Sequence, residues 1–377
     1  MPVVAESSVL ESTIRRLAAV AGERAPVTTL YLDLEGRRHL RQPDVARDVE
    51  QLLRSERPAR NGSGEHPSVR ADLARIMDVV RGGFDRARTR GVVIVACSQD
   101  GVFEVVELPV AVHDRLVVNH VPAMGPLEQI VGDHEPVGVL LADRQRARVL
   151  VSELGELLEL GVVVDELTHG DPGHADRGDL AHAVEAATHT HLRRAADAAW
   201  HQFQKRRFDH LVVGAPDAVV GDLVALLHPY LRQRFAGRIP LGPGAGPAEI
   251  RAEVAVVERR LERDREAEVV GRLRQEARSG RRGVIGLAAT LDALNTHRVE
   301  RLVVSAGYAE EGWRCPSSGV LAAVGPHSPT DGRRMDRVAD VVADALHAAI
   351  AQGCRVDICT ENADLDVMGR IGALLRY

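Results

Sequence analysis

The feature that most constrains this chain is an alternation. Short runs of branched aliphatic residues, GVVIVAC, GVLLA, DHLVVGA and ERLVVSAG, recur between segments whose apolar residues fall at helical spacing. Buried strands read as such runs, and strands alternating with helices predict layered α/β domains. Aromatics are only 3% of the 377 residues, so Val, Leu, Ile and Ala must fill the cores. A chain of this length exceeds one ordinary core. The reading is three α/β domains, at 1–134, 135–280 and 281–377.

In the first domain, Ser12 caps a helix carrying Ile14, Leu17 and Ala18 on one side. PVTTLYLDLEG follows as a strand with Thr28, Leu30, Leu32 and Leu34 on one face. Residues 56–68 read as a polar loop, and GVVIVACSQDGVFEVVELP as a hairpin. The second domain opens with GVLLADRQRARVLV, two strands around a turn at 143–146, and GELLELGVVVDEL adds a third. THGDPGHADRG, residues 168–178, is rich in glycine and charge and reads as an exposed loop. A long helix over 179–207 follows, with Leu180, Ala183, Ala187 and Leu192 as its apolar side. The charge-laced helix beginning AEIRAEV reads as solvent-facing. The third domain alternates helix and strand and ends on GRIGALLRY, an apolar strand that Gly369 and Gly372 let bend into place as an edge or closing element.

Composition excludes several classes. The formal net charge of −6 argues against a protein that coats nucleic acid, although a local Arg patch can still meet phosphates. No apolar run approaches the roughly 20 residues a membrane helix needs, and the N-terminus shows no signal peptide. The four cysteines form no CxxC pair or disulfide framework. These features predict a soluble cytoplasmic protein with reduced thiols, no membrane contact and no cofactor.

Candidate chemistry clusters in two places. Histidines crowd the central loop and helix: His169, His174, His182, His189 and His191. His182, Glu185, His189 and Arg193 share one helical stripe, a conceivable metal or acid–base site; without an HExxH-type spacing, a solvated face is the plainer reading. In the third domain CPSSG and SPTDG stand thirteen residues apart, Cys315 to Ser328. Two CPxCG knuckles would bind zinc, but Ser318, Ser328 and Asp331 occupy the other three positions, and one thiolate cannot hold a structural zinc. Residues 313–333 read as a zinc ribbon without its metal. GPGAGP at 242–247 lacks the Gly-Lys-Ser/Thr ending of a phosphate loop, and GVIGLAAT lacks the full GxGxxG pattern and a clear strand before it.

Three segments in order carry a family resemblance. GRIGALLRY resembles the closing strand of eukaryotic and archaeal class-one peptide release factors and their Pelota relatives, with Ile371, Gly372, Leu375, Arg376 and Tyr377 on the pattern. HTHLRRAAD resembles the family's central helix at His189, Arg193 and Ala196, and GLAATLDALNTHRVERLVV looks like the start of its third domain. The resemblance covers roughly 135–377. The first domain lacks the stop-codon-reading Asn-Ile-Lys-Ser motif and looks like the divergent N-domain of the bacterial branch, which includes release-factor-like, peptidyl-tRNA hydrolase-like and Balon-like hibernation proteins.

The resemblance implies a ribonuclease H-like middle domain and a C-terminal domain like the ribosomal proteins that bind kinked RNA. It implies the ribosomal A site and rRNA as partners, with the loop at 168–178 reaching peptidyl-tRNA, and a translational GTPase such as elongation factor Tu by analogy. The loop residues concerned are Gly170, Asp171, Gly173, His174, Ala175, Asp176, Arg177 and Gly178. The family's Gly-Gly-Gln falls here on Gly173, His174 and Ala175, so alanine stands where glutamine positions water. His174 is the candidate general base if the chain is a peptidyl-tRNA hydrolase. The simpler expectation is A-site occupancy without hydrolysis, in hibernation, stress or rescue; a third is a stress protein binding another RNA or protein. Arg193, Arg194, Lys205, Arg206 and Arg207 are the expected phosphate contacts, against the alternative of an ordinary charged surface.

Overall fold

The computed structural model describes residues 12–14, 16–17, 20, 25–34, 46–47, 49–52, 67–85, 89–133, 135–165, 177–360 and 362–377. Most of the polar loop at 56–68 and nearly all of the loop at 168–178 lie outside the described residues. Contacts divide the chain into two compact units, one of residues 1–132 with 264–377 and one of residues 133–263.

In the first unit, β1 (Val27–Asp33) lies inside an antiparallel sheet, with helix α1 (Pro67–Gly82), β2 (Gly91–Cys97), β3 (Val102–Leu108), β4 (Arg115–Asn119) and helix α2 (Gly125–Asp133) following in the chain. The sheet order is β3-β2-β1-β4. The predicted hairpin is present, with Gly91 opposite Leu108 and Cys97 opposite Val102. Thr28, Leu30, Leu32 and Leu34 are all buried, and so are Val27, Thr29 and Tyr31, because β1 is covered on both faces.

The central unit is a five-stranded sheet. β5 (Val137–Ala142), β6 (Arg146–Glu153) and β7 (Glu156–Val164) form an antiparallel meander. Helix α3 (Arg177–Lys205) then leads to β8 (His210–Gly214), which pairs parallel with β5. Helix α4 (Asp217–Leu226) and the single turn α5 (Pro229–Arg232) lead to β9 (Phe235–Ile239), parallel to β8. The order is β7-β6-β5-β8-β9. Alternation along β5 sends Leu140 and Ala142 toward α3 and α4, and Val137, Val139 and Leu141 toward Ile250, Val254 and Val257 of helix α6 (Pro247–Arg278). With helices on both faces β5 and β8 have no polar side, which is why each reads as an unbroken apolar run. A Cβ on Gly214 would lie 2.4 Å from the Leu241 carbonyl oxygen, so this strand end admits only glycine without a shift.

Helix α6 is less solvent-facing than its charge pattern predicts. Ile250 and Val254 in its first half and Val270 and Leu273 in its second are buried, and buried Glu266 accepts the Thr360 backbone N–H at 2.7 Å. Helical spacing of a few aliphatics hides easily among so many charges.

The remaining elements of the first unit are β10 (Gly283–Ile285), helix α7 (Leu287–Asn295), β11 (Val299–Ser305), β12 (Gly312–Arg314), β13 (Leu321–Ala322), β14 (Asp336–Val338), helix α8 (Val341–Ala351), β15 (Arg355–Cys359), helix α9 (Ala363–Val367) and β16 (Ile371–Leu375). The short β10 is the GVI of GVIGLAAT itself and runs into α7; turn and bend residues precede it, so no strand stands before this segment. The last strand is interior rather than an edge: the order is β10-β16-β11-β15, and all five residues of β16 are buried. Gly369 turns into it with φ 94°, and a Cβ on Gly372 would meet Leu273 Cδ2 and the Val284 carbonyl oxygen, each at 2.8 Å. Arg376 Nε donates to the Val299 carbonyl at 3.0 Å and fastens the chain end. The fold is α/β throughout, as the alternation predicts.

Candidate functional site

Helix α3 and the strand end before it organise the region where the predicted residues converge. β7 ends at Val164, Asp165 follows, and the chain returns at Arg177 to begin the helix. Gly170, Asp171, Gly173, His174, Ala175 and Asp176 lie outside the described residues, and Arg177 and Gly178 enter only as helical backbone.

The buried face of α3 is Leu192, Ala195, Ala196, Ala199 and Phe203, packed on β5, β6, β8 and α4. The predicted apolar side is corrected in part. Leu192 is buried, but Ala183 and Ala187 are exposed, and Leu180 lies among residues whose side chains are not described. Residues 182–187 are all exposed, so the first turns of the helix leave the sheet behind and their alanines cover nothing. His182, Glu185, His189 and Arg193 are likewise exposed. Among the described residues no group of three or more His, Cys, Asp or Glu is placed to hold a metal ion.

His191 behaves differently from its neighbours. Its side chain is buried, and Nδ1–H donates to Asp165 Oδ2 at 2.7 Å. Arg194 donates to the other oxygen of the same carboxylate. The His191 hydrogen bond, helped by Arg194, holds the Asp165 carboxyl below its ordinary range despite partial burial. His191 Nε2 is buried and has no partner among the described residues. This network ties the strand end at 165 to a helix position 26 residues later. A lone carboxylate after a strand and a histidine within a helix carry no sequence signal of pairing; only the packing of α3 on the sheet brings them together.

The five predicted cations do not form one free patch. Arg194 is engaged by Asp165 and Arg206 by Glu153. Arg193 and Lys205 are exposed and make no ion pair among the described residues. The Arg207 guanidinium lies over the Phe203 ring at 4.7 Å, and Arg234, which the sequence reading missed, lies 5.0 Å from the same ring. Trp200, one turn before Phe203, stacks on His228 with ring centroids 3.6 Å apart and planes 10° from parallel. Tyr230 lies 5.6 Å from His228 and nearly parallel to it, with 58% of its surface exposed.

The two knuckles at 315 and 328 share one backbone geometry. The Cys315 N–H donates to the Val320 carbonyl and the Ser328 N–H to the Arg333 carbonyl, both at 2.8 Å. The Gly319 N–H returns to Cys315 and that of Gly332 to Ser328, and these glycines have φ of 72° and 68°. Around them β13, β12 and β14 form a small antiparallel sheet. The donor set does not fit a zinc ion: the hydroxyls of Ser318 and Ser328 are poor replacements for thiolates, and only Cys315 supplies sulfur. The Arg333 guanidinium reaches Ser317 Oγ at 3.1 Å and Asp331 at 3.4 Å, and so joins the two turns through charge and hydrogen bonding. Hydrogen bonds from Ser317 and then Ser318 draw the Cys315 thiol down to about 7.

Among the described residues no helix is long and apolar enough to cross a membrane. No curated protein matches the chain. Solved structures similar to it include the archaeal translation termination factor aRF1, at 15% identity, covering 99% of both chains with a TM-score of 0.26. Archaeoglobus fulgidus Pelota is 16% identical over 76% of this chain and 79% of its own, with a TM-score of 0.36. An archaeal Pelota in a ribosome-bound model with ABCE1 is 14% identical over 100% and 95%, with a TM-score of 0.41. Residues 122–259, which contain the β5–β9 sheet, the loop at 168–178 and helix α3, match the family model "bacterial archaeo-eukaryotic release factor family 10". Of the three segments that carry the resemblance, HTHLRRAAD lies within this stretch, and residues 122–259 are similar to the bacterial branch of the release-factor superfamily.

Proposed function

We propose that this chain is a ribosome-associated, release-factor-like protein that occupies the A site in hibernation, stress or rescue and does not hydrolyse peptidyl-tRNA. The observation that carries the reading is the family match over 122–259, which includes the loop at 168–178. Ala175 replaces the water-positioning glutamine of the family pattern, and an alanine side chain can neither donate to nor accept from a water. In this reading the loop lies against the acceptor end of peptidyl-tRNA, and the Asp165–His191–Arg194 network anchors the strand end that leads into it.

The test has two arms. Co-sedimentation of the protein with ribosomes at physiological salt is expected, and its loss as salt rises marks phosphate contacts. Incubation with ribosomes carrying labelled peptidyl-tRNA is expected to release no peptide. Peptide release that vanishes in His174→Ala would make the chain a peptidyl-tRNA hydrolase with His174 as its base. Failure to co-sediment would overturn the ribosomal reading.

A further inference from the structure

We infer that Trp200, His228 and Tyr230, with Arg207 and Arg234 beside them, form a binding face for single-stranded RNA, on which an unstacked base lies against the aromatic stack and its phosphates meet the two guanidinium groups. The inference deepens the ribosomal reading and rests on it for the identity of the RNA, but its chemistry stands on this face alone.

Three observations carry it. First, the aromatic stack is open at one side. Trp200 and His228 cover each other, whereas Tyr230 is 58% exposed with its plane within 20° of both. An exposed tyrosine held parallel to a Trp–His pair offers a ready π-face, and every nucleobase has one to match it. The plane is held in place: His228 Nδ1 accepts the Tyr230 backbone N–H at 3.3 Å, and Pro229 lies between them at the start of α5. That bond uses the Nδ1 lone pair, so the neutral ring carries its proton on Nε2 as a donor.

Second, the cations beside the stack lack carboxylate partners. Arg207 and Arg234 both lie over Phe203, whose ring centroid is 5.5 Å from that of Trp200. Among the described residues neither makes an ion pair. Asp209 feels the charge of Arg234, but no ion pair joins them. Arg234 Nη1 donates to the Tyr230 carbonyl at 3.0 Å, which places this guanidinium next to the exposed ring. A protein spends few arginines on a single phenylalanine; two with no acid partner leave positive charge available to a phosphate chain.

Third, the local charge runs against the whole. The chain carries a net −6, yet residues 198–208 contain Lys205, Arg206 and Arg207 and no acid, and residues 223–238 contain Arg232, Arg234 and Arg238 and no acid; Glu153 and Asp217 pair with Arg206 and Arg238 and leave Arg207 and Arg234 outside any described ion pair. These two segments carry the face. Flat aromatics interleaved with unpaired arginines fit a single strand, whose bases are free to stack; a duplex keeps its bases in its own stack.

The test uses the full chain carrying Trp313→Phe, so that Trp200 is the one fluorescent tryptophan left. A ten-nucleotide single-stranded oligoribonucleotide is titrated in at low salt, read by Trp200 quenching and by anisotropy of a labelled strand, beside a duplex of the same sequence. Quenching by the single strand, with weaker binding of the duplex, is expected. Tyr230→Ala should weaken single-strand binding about tenfold, the scale of losing one stacked base. Arg207→Gln with Arg234→Gln should lower affinity and reduce the salt dependence by about two phosphate contacts. Equal binding of duplex and single strand, no quenching, or affinity unmoved by Tyr230→Ala would overturn the inference. Failure here with ribosome co-sedimentation intact leaves the ribosomal reading standing; oligonucleotide binding without co-sedimentation keeps the face and removes its proposed target.

Discussion

Two basic stretches of helix α3, LRRAA at mid-helix and QKRRF at its C-terminal end, divide their charge in the same way and differ in what lies beside it. In the first Arg194 is bound to Asp165, whose carboxylate also holds a buried histidine, and Arg193 is exposed. In the second Arg206 is bound to Glu153, and Arg207 lies over the Phe203 ring and meets no described carboxylate. In each stretch one arginine holds the protein together, and only in the second does its neighbour lie against an aromatic ring. The lesson is that a count of arginines gives the charge on a helix but not how much of it is free.

Substitutions can break this contrast, the largest effect first. Phe203→Ala removes a buried ring that packs on Phe208 and carries both guanidinium groups, and is expected to cost about 3–5 kcal/mol in a urea melt. A loss under 1 kcal/mol would mean the ring serves the arginines rather than the core. Asp165→Ala leaves the buried His191 without its hydrogen bond and should cost about 1–3 kcal/mol.

The same carboxylate gives a pH signature. Because its folded-state pKa lies below the unfolded value, its stabilisation is complete above about pH 4 and is lost as pH falls through the folded pKa. Melts below pH 4 should therefore steepen in the parent and flatten in Asp165→Asn.

Arg207→Ala forfeits one partly exposed cation–π contact and should cost about 0.5–1 kcal/mol. Arg193→Ala touches no described partner and should leave stability within about 0.5 kcal/mol. A larger loss at Arg193 than at Arg207 would overturn the reading of Arg193 as the unengaged arginine.

Much of the fold was legible because it rests on local pattern. The hairpin at 91–108, the meander at 137–164 and the run at 210–214 all follow from residues alternating or clustering within a few positions. Errors arose where burial depends on distant elements. Ala183 and Ala187 have helical spacing but no sheet beneath them, and β16 looks like a terminal edge until β10 and β11 are placed on its two sides. The candidate site was legible as a region and not as a network. Arg234 lies 27 positions after Arg207 in the chain, and nothing in either segment says that both share Phe203.

The sequence by itself determined the α/β alternation, the lack of glutamine between 168 and 178, and the single thiolate of the knuckles, since each is a matter of residue identity or short-range period. Only the tertiary structure decided that Asp165 closes on His191 and Arg194, that Arg333 joins two knuckles lacking a metal's ligands, and that Trp200, His228 and Tyr230 lie together. These contacts link residues far apart in the chain. Those of the central unit form once the β5–β9 sheet brings its connections to common ends, and that of Arg333 once β12, β13 and β14 bring the knuckles together; such closure is a property of packed elements rather than of any local stretch of sequence.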